Sequence, residues 1–540
     1  MLIPVLAFGF YLAFPKFNFT TTDSLASALQ MRTGGIENLF DPNHLLYNAI
    51  GYVITRGLHT VGIVAEPLRV MQTVNALAGA VSLWLFARLL GRMGVSGVRG
   101  GIFTALLACS FGFWSYAIDN ETYMLPLVCQ LGATLSLGAV LAGQRPWTLK
   151  TAWVVGSLAS LGCLMHQTAI FFVGLTGVML LSLQLPWRLK WQSAVVMAAC
   201  FVGLVIAPYV VVAWQLGLFG PGQHDSFWQW LTHYGSTGFA GAIDLQHVWN
   251  LPIGLGQTVI DGAHLKQAVL QPAWRWPSLL FAGLAAAALL VAGLMGIITL
   301  ACWRVDRTAA RQQIFLWCWA GVFAAFAFWW QPESNQFWIP SAVALTALAA
   351  CAWDRRASTF PRWVRVVPAG LVGLLFGVNF FGAILPGSRL ENSELYQLCS
   401  RLRQHGVQEA DLVLIPDYIQ PQYQYFYHQQ LRVSSLGLLS SIFQGPGKAR
   451  LFAHQQRVIA ETLQNGGRVF ISEVELKPSP WQRSLVRFLT PEAYAQFYAP
   501  YRPVLEPAFT FASDGREVIM YEVKSAGAPP TPMTSSARRF

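Results

Sequence analysis

From residue 68 to residue 386 the chain is a series of continuous apolar runs separated by short polar loops. Many of these runs hold about 20 residues, the length that an α-helix needs to cross a bilayer core. Their apolar residues are contiguous rather than alternating, which favours helices over the strands of a membrane barrel. With the apolar start of the chain, the pattern predicts a polytopic α-helical membrane protein with about eleven transmembrane helices, at 1–15, 68–90, 101–118, 123–143, 151–166, 168–186, 192–216, 277–303, 312–331, 335–353 and 363–386.

The apolar stretch 44–64 could be a twelfth span, and the charges of the loops decide against it. If this stretch does not cross, one face carries most of the arginines and the other keeps few cations, as the positive-inside rule requires. We therefore predict a cytoplasmic N-terminus and an external loop over 16–67 whose apolar parts lie in the interface as juxtamembrane helices. The cations left on the external face are Lys16, Arg32, Arg56, Arg69, Lys266 and Arg275.

The same count of faces places five further parts of the chain outside the cytoplasm. They are the turn 119–123, the turn at His166, the large loop 217–276, the turn at Glu333 and everything after residue 387. We thus predict a transmembrane module over 1–388. From 389 to 525, helical patterns alternate with short β-rich runs, which predicts an extracytoplasmic α/β domain. The composition of 526–540 is typical of a disordered tail.

Composition agrees with a membrane protein and excludes several other classes. The chain is 54% hydrophobic and only 11% charged, and its formal charge of +11 comes mostly from loops between spans. Membrane orientation explains that charge, so we expect the lipid bilayer as a partner and no nucleic acid. Of the eight cysteines, seven lie in or beside apolar spans, without the spacing of a zinc site or a disulfide framework.

Asp23 follows the first predicted span, in the run "NFTTTD". It could cap the helix predicted for "SLASALQMR", because Ser, Thr and Asp are favoured at helix N-caps. It could also be a general base, because a carboxylate in a poorly solvated pocket has a raised pKa and can accept a proton from an alcohol.

Asp119 and Glu121 lie in a very short turn between two spans, within "FWSYAIDNETYMLPL". They could form an ordinary polar turn. Two carboxylates so close repel one another unless a cation or a hydrogen-bond donor lies between them. A divalent metal ion such as Mg²⁺ or Mn²⁺, or a substrate hydroxyl, would serve. The two acids are therefore candidate metal ligands.

Other polar residues on the predicted external face are candidates for substrate binding. His44 could donate to a phosphate or simply lie in the interface, and His166 lies at the edge of two spans, where polar residues are often functional. Lys266 and Arg275 are rare external cations, so either could bind a lipid phosphate. The tryptophans of loop 217–276 suit either an interfacial belt or stacking on a sugar ring.

The stretches "TTDSLASALQM…NHLLYNAIGY" and "FWSYAIDNETYMLPL" resemble motifs of the GT-C glycosyltransferases, most of all the protein O-mannosyltransferase-like branch. The resemblance covers roughly residues 1–220 and implies that Asp23 is the catalytic acid/base residue. It aligns His44 and Tyr47 with the His…Tyr stretch of the family. It also aligns Trp114, Glu121 and Tyr123 with the second motif. Leu45 and Leu46 stand where the family has prolines, and Thr22 stands where it has glycine.

The resemblance implies a membrane glycosyltransferase that moves a sugar from a polyprenyl phosphate to a hydroxyl of a glycan, lipid or protein. The reaction would occur at the outer face of a bacterial inner membrane, with inversion and with Asp23 as the general base. Two alternatives stay open: a lipid or glycan transporter, and a non-catalytic factor of cell-envelope glycan assembly. A transporter would show inverted repeats and ionisable residues in the middle of its spans.

Overall fold

A computed structural model describes residues 2–17, 23–220, 224–232, 245–261, 276–301, 310–416, 419–436, 448–477, 490–513 and 516–524. The chain divides into two compact units. The first comprises residues 1–16 and 30–388, and the second comprises residues 17–29 and 389–540. The helix Asp23–Thr33, which is the second helix of the chain, therefore begins in the second unit and ends in the first.

The described residues of the first unit are almost entirely helical, because a backbone that crosses a bilayer must satisfy its own hydrogen bonds. From the N-terminus the helices are α1 Leu2–Ala13, α2 Asp23–Thr33, α3 Ile36–Leu39, α4 Tyr47–Thr60, α5 Pro67–Arg92, α6 Gly97–Cys109, α7 Phe111–Ala117, α8 Met124–Leu141, α9 Leu149–Met165, α10 Ile170–Ser182, α11 Trp187–Phe201 and α12 Ala207–Gln215. They continue as α13 His224–Leu231, α14 Leu245–Val259, α15 Trp276–Ala301, α16 Ala310–Trp330, α17 Ile339–Arg356, α18 Arg362–Asn379 and α19 Leu385–Gly387. Helix α12 continues α11, and α19 continues α18, through one π-helical turn each.

Each of the eleven predicted spans coincides with an apolar helix, but the helices differ in length. Among the described residues, six are long and apolar enough to cross a membrane, or seven if the bent pair α6–α7 counts as one span. Four further apolar helical segments of 10–17 residues are Leu2–Ala13, Leu149–Met165, Gln167–Ser182 and, within α15, Ala282–Ile297. The protein is thus a multi-pass membrane protein, while the count of eleven spans is not confirmed. Helix α4 has 14 residues, fewer than the ~20 that a span needs, which agrees with its predicted interfacial position.

The break between α6 and α7 positions the loop that follows α7. The two helices meet at Ser110 with an angle of 67° between them, and α7 then leads to Asp119. Gly112 lies against the Thr258 backbone of α14, where a Cβ atom would approach Thr258 to 3.1–3.3 Å. Helix α14 in turn contacts the turn before α17: Asn335 donates to the carbonyl of Gln257, and Asn250 donates to Glu333.

The second unit contains a five-stranded mixed sheet of order β2-β1-β3-β5-β4. Its strands are β1 Leu412–Leu414, β2 Arg432–Ser434, β3 Val469–Ser472, β4 Leu505–Ser513 and β5 Arg516–Val523. Strands β1, β2 and β3 are parallel, whereas β5 is antiparallel to both β3 and β4. The described helices are α20 Glu394–Gln404, α21 Gln420–Tyr427, α22 Lys448–Gln464, α23 Glu473–Leu476 and α24 Pro491–Tyr498.

Gly254 of α14 is a close-packing position. A Cβ atom there would lie 1.9 Å from the carbonyl oxygen of Pro332, so the two segments would have to separate. We expect Gly254→Ala to lower the melting temperature of the purified protein, with a loss of about 1–3 kcal/mol that is typical of overpacking. Gly256→Ala on the same helix is the matched control, because its Cβ would make only an ordinary contact at 3.7 Å and alanine favours a helix. Equal melting temperatures for the two variants would contradict this packing.

Candidate functional site

Four consecutive residues of the segment between α7 and α8 are polar and nevertheless buried. Asp119 and Asn120 are each 1% exposed, Glu121 is 8% exposed and Thr122 is 7% exposed. Buried polar groups in proteins are nearly always hydrogen-bonded, and buried charges are nearly always paired. This segment is therefore a structured polar centre in the first unit and not a solvated turn.

Lys16 provides the positive charge that this centre requires. Its Nζ lies 2.7 Å from Oδ2 of Asp119, and Oδ1 of Asp119 accepts from the backbone N–H of Asn120 at 2.8 Å. The Lys16 backbone is held on both sides: its N–H donates to Ile118 O, and its carbonyl accepts from Gln72 Nε2. The end of the first apolar helix is thereby joined to the segment after α7.

The charges around Lys16 keep it protonated. Burial by itself lowers the pKa of the Lys16 ammonium, but the carboxylates of Asp119, Glu121 and Asp261 together raise it more. The resulting pKa lies above the ordinary lysine value, so Lys16 is a cation at neutral pH.

Asn75 of α5 holds the backbone of the acidic segment. Its Nδ2 donates to the carbonyls of Asp119 and Glu121, both at 2.7 Å, and to the Tyr47 hydroxyl at 2.9 Å. Tyr47 in turn donates to Oδ1 of Asn120 at 2.9 Å. Burial raises the pKa of Tyr47 well above its ordinary value, so this phenol keeps the proton that it donates. The network connects helix α4 to the acidic segment.

His44 and His166 lie beside this network. The His44 ring lies 5.9 Å from the ring of Tyr47, and the His166 ring lies 4.8 Å from that of Tyr123. Within the part of the chain that the structure describes, Nδ1 of His44 is buried and has no hydrogen-bond partner. A buried nitrogen without a partner is unfavourable, so it is a candidate contact for a ligand.

His166 is fixed as a neutral ring at the turn between α9 and α10. Burial lowers its pKa to about 3, and the neighbouring His44 contributes. Its Nδ1 lies 2.8 Å from the Thr168 hydroxyl and accepts from the Thr168 backbone N–H at 3.2 Å. At neutral pH His166 can thus orient a ligand but carries no charge.

The structure brings together six of the predicted residues in the first unit: His44, Tyr47, Asp119, Glu121, Tyr123 and His166.

Asp23 is exposed, is the first residue of α2 and belongs to the second unit. A carboxylate in the first turn of a helix is also favoured by the helix dipole. Lys266 and Arg275 lie outside the described residues. Trp114 is buried and stacks on Phe380, a packing contact.

Sequence reasoning missed three residues of this network: Lys16, Gln72 and Asn75. Lys16 was recognisable as one of the few cations predicted on the external face. Gln72 and Asn75 were recognisable as amides within an otherwise apolar span, where polar side chains commonly have a specific partner.

A divalent metal was predicted at Asp119 and Glu121, and the Asp119 carboxylate already has other partners. One Asp119 oxygen is paired with Lys16 and the other with a backbone N–H. Among the described residues there is no group of three His, Cys, Asp or Glu side chains that could hold a metal ion. Metal binding by these two acids stays a prediction, and no step of the reaction below depends on it.

Comparison with solved structures shows that the fold of this chain is similar to that of a known protein. Two crystal structures of ArnT from Cupriavidus metallidurans match the chain at 13% identity. The structure bound to undecaprenyl phosphate covers 98% of both chains with a TM-score of 0.52, and the apo structure covers 96% of both with a TM-score of 0.53. The fold is ArnT-like. This likeness agrees with the GT-C fold that the motifs implied, whereas the O-mannosyltransferase-like branch is not confirmed.

The likeness to ArnT extends over nearly the whole chain and both compact units. At this low identity it shows the fold alone. No protein-family model and no curated protein sequence matches the chain. The ArnT-like fold therefore has to be connected to a reaction through the residues of this chain.

The Lys16–Asp119 pair makes a prediction about stability. Lys16→Met should destabilise the protein by about 3 kcal/mol, because it leaves a buried carboxylate without its cation. In Lys16→Met/Asp119→Asn, most of this loss should be recovered, because the second change removes the unpaired charge. Melting temperatures of the two single variants and the double variant measure the coupling. Additive losses in the double variant would show that the pair is not coupled.

Proposed function

We propose that this protein is a membrane glycosyltransferase that uses a polyprenyl-phosphate sugar as donor. The observation that carries the proposal is the buried Lys16–Asp119 centre, which Asn75 and Tyr47 connect to the short helix α4. A charged centre at the ends of apolar helices suits a substrate whose head group is polar and whose tail lies in the bilayer. The ArnT-like fold supports this, since one ArnT structure contains undecaprenyl phosphate.

The distribution of loop charges supports an extracytoplasmic site. The loops that would flank the other ends of the helices carry most of the arginines, which favours the cytoplasm for that face. Helix α4 has 14 residues, and we take it to lie in the interface, so that the count of faces does not reverse after it. We take the compartment to be outside a bacterial inner membrane, with the C-terminal unit on the same side.

In the proposed reaction, the Asp23 carboxylate removes the proton of an acceptor hydroxyl. The hydroxyl oxygen attacks the anomeric carbon of the donor sugar from the side opposite the phosphate. A new C–O bond forms as the bond from the anomeric carbon to the phosphate oxygen breaks, and both bonding electrons leave with the phosphate. The configuration at that carbon is therefore inverted, and the products are a glycosylated acceptor and a polyprenyl phosphate.

The leaving phosphate requires hydrogen-bond donors and positive charge. Nδ1 of His44 is a donor position without a partner among the described residues, and Lys16 is the cation of the same network. Lys266 and Arg275 are proposed as further external cations for this phosphate. The neutral rings of His166, Tyr123 and Tyr47 would orient the sugar, with Glu121 as an acceptor for one of its hydroxyls.

Asp23→Asn tests the assignment of the general base. Transfer from a panel of undecaprenyl-phosphate sugars to a hydroxyl acceptor should fall by about 10²–10⁴-fold, the usual contribution of general-base catalysis. Donor binding and melting temperature should not change. Glu37→Gln is the control, because Glu37 is an exposed carboxylate on the neighbouring helix α3. Transfer by Asp23→Asn at the wild-type rate would exclude this role and would leave the assembly-factor alternative in place.

His44→Phe tests phosphate binding. The KM for the donor should rise about tenfold or more, because a hydrogen bond to a charged group is lost. The KM for the acceptor should stay constant. His59→Phe is the matched control, since His59 is an exposed histidine at the last turn of the same external segment. If both substitutions change the donor KM equally, His44 has no specific role.

A further inference from the structure

A second charged site lies at the opposite helix ends of the first unit. Helix α6 begins there and leads through α7 to Asp119, while α17 ends there and α18 begins there. An open cavity lies between these three ends, with about 300 Å³ of space including the solvent at its mouth. Arg99, Arg365, Trp353 and Phe360 are among the residues that line it.

Arg99 has unused donors at this cavity. Its Nη1 lies 2.7 Å from Oδ1 of Asp354 and 3.5 Å from the Ser96 hydroxyl. Asp354 also accepts from the Ser96 backbone N–H. Among the described residues, Nε and Nη2 of Arg99 have no acceptor, and the side chain is 41% exposed. Asp354 thus neutralises one charge but leaves half of the guanidinium available.

Arg365 is held in place by the turn that joins α17 to α18. Its Nε donates to Phe360 O at 2.8 Å, and one terminal nitrogen donates to Ser358 O at 3.1 Å. The other terminal nitrogen has no acceptor within the described ranges. Within the described ranges, no carboxylate forms an ion pair with Arg365. The turn therefore presents a fixed guanidinium to the cavity.

Trp353 contributes an independent observation. Its side chain is 3% exposed and lines the cavity, and its Nε1–H is buried without an acceptor in the described part of the chain. The Trp353 ring lies 5.2 Å from that of Phe360 at an angle of 57°. A buried indole N–H normally has a hydrogen-bond partner. The cavity thus combines two cationic donors with an aromatic wall, and one of its lining residues has a buried N–H without a partner.

We propose that this cavity binds the headgroup of an anionic phospholipid. Its donors suit the oxygens of a phosphate, for which arginine provides charge and several N–H groups in one plane. Basic pockets between membrane helices on the arginine-rich side are a recognised way to bind acidic lipids. The neighbouring Trp363 and Val366 of α18 are 70% and 63% exposed, as expected where a lipid approaches. This site is independent of the proposed transferase centre.

The test uses the full-length protein in detergent micelles, with bound lipid counted by native mass spectrometry. Dioleoyl phosphatidylglycerol should bind at one saturable site, about tenfold more tightly than dioleoyl phosphatidylcholine, because the two lipids share the phosphate but the choline cation is repelled by Arg99 and Arg365. Glycerol 3-phosphate should not compete at matched concentration. Binding of the soluble phosphate as tightly as the lipid would overturn the assignment to a lipid.

Variants connect this binding to the cavity. Arg365→Gln should weaken phosphatidylglycerol binding about tenfold. Arg99→Gln/Asp354→Asn should weaken it comparably while leaving no buried charge unpaired, so this double variant keeps the test valid if Arg365→Gln fails to fold. Trp353→Phe, which removes the N–H together with part of the ring, should have a smaller effect. Arg362→Gln is the control, because Arg362 lies at the start of α18 outside the cavity. Unchanged affinity in both arginine variants would refute the proposal.

Discussion

A buried carboxylate requires a partner, and the first unit is organised around this constraint. Asp119 is 1% exposed, and Lys16 neutralises it from the end of the first apolar helix. An isolated charge so poorly solvated would be several kcal/mol unfavourable, so the two segments stay together or neither is stable there. Because Asn75 binds the carbonyls on either side of Asn120, the acidic segment has one conformation with respect to α5. The candidate site is thus built on rigid helices.

The two ends of the helical unit have different chemistry. At one end, acids, tyrosines, His44 and the neutral ring of His166 lie near Lys16, an arrangement suited to a sugar with its hydroxyls and a departing phosphate. At the other end, arginines and an unpartnered indole N–H surround an open cavity, which suits a stable anion. Both ends use the same physical principle: charge is tolerated where apolar helices terminate, because water, lipid headgroups and fixed donors are within reach.

Much of the fold and part of the site followed from local sequence. The long apolar runs predicted helices because a backbone in lipid has few alternatives, and the strands at 412–414, 469–472, 505–513 and 516–523 overlap the β-rich runs. The excess of arginines in one set of loops, together with the short length of α4, favoured one assignment of the helix ends to the two faces of the membrane. Span number was not determined, because α1, α9 and α10 are apolar but short. Hydropathy alone does not distinguish a short span from a packed helix.

The amino-acid sequence by itself determined which residues are costly to bury: Asp119, Glu121, His166 and the amides of α5 could not lie in an apolar protein without partners. Tertiary structure decided the partners. Lys16 and Asp119 are more than one hundred positions apart, and only packing of α1 against α5 and α7 brings them together. The same holds for Arg99 and Asp354. Pairing between residues so far apart in the chain leaves no local pattern in a single sequence, because the residues around one partner do not identify the other.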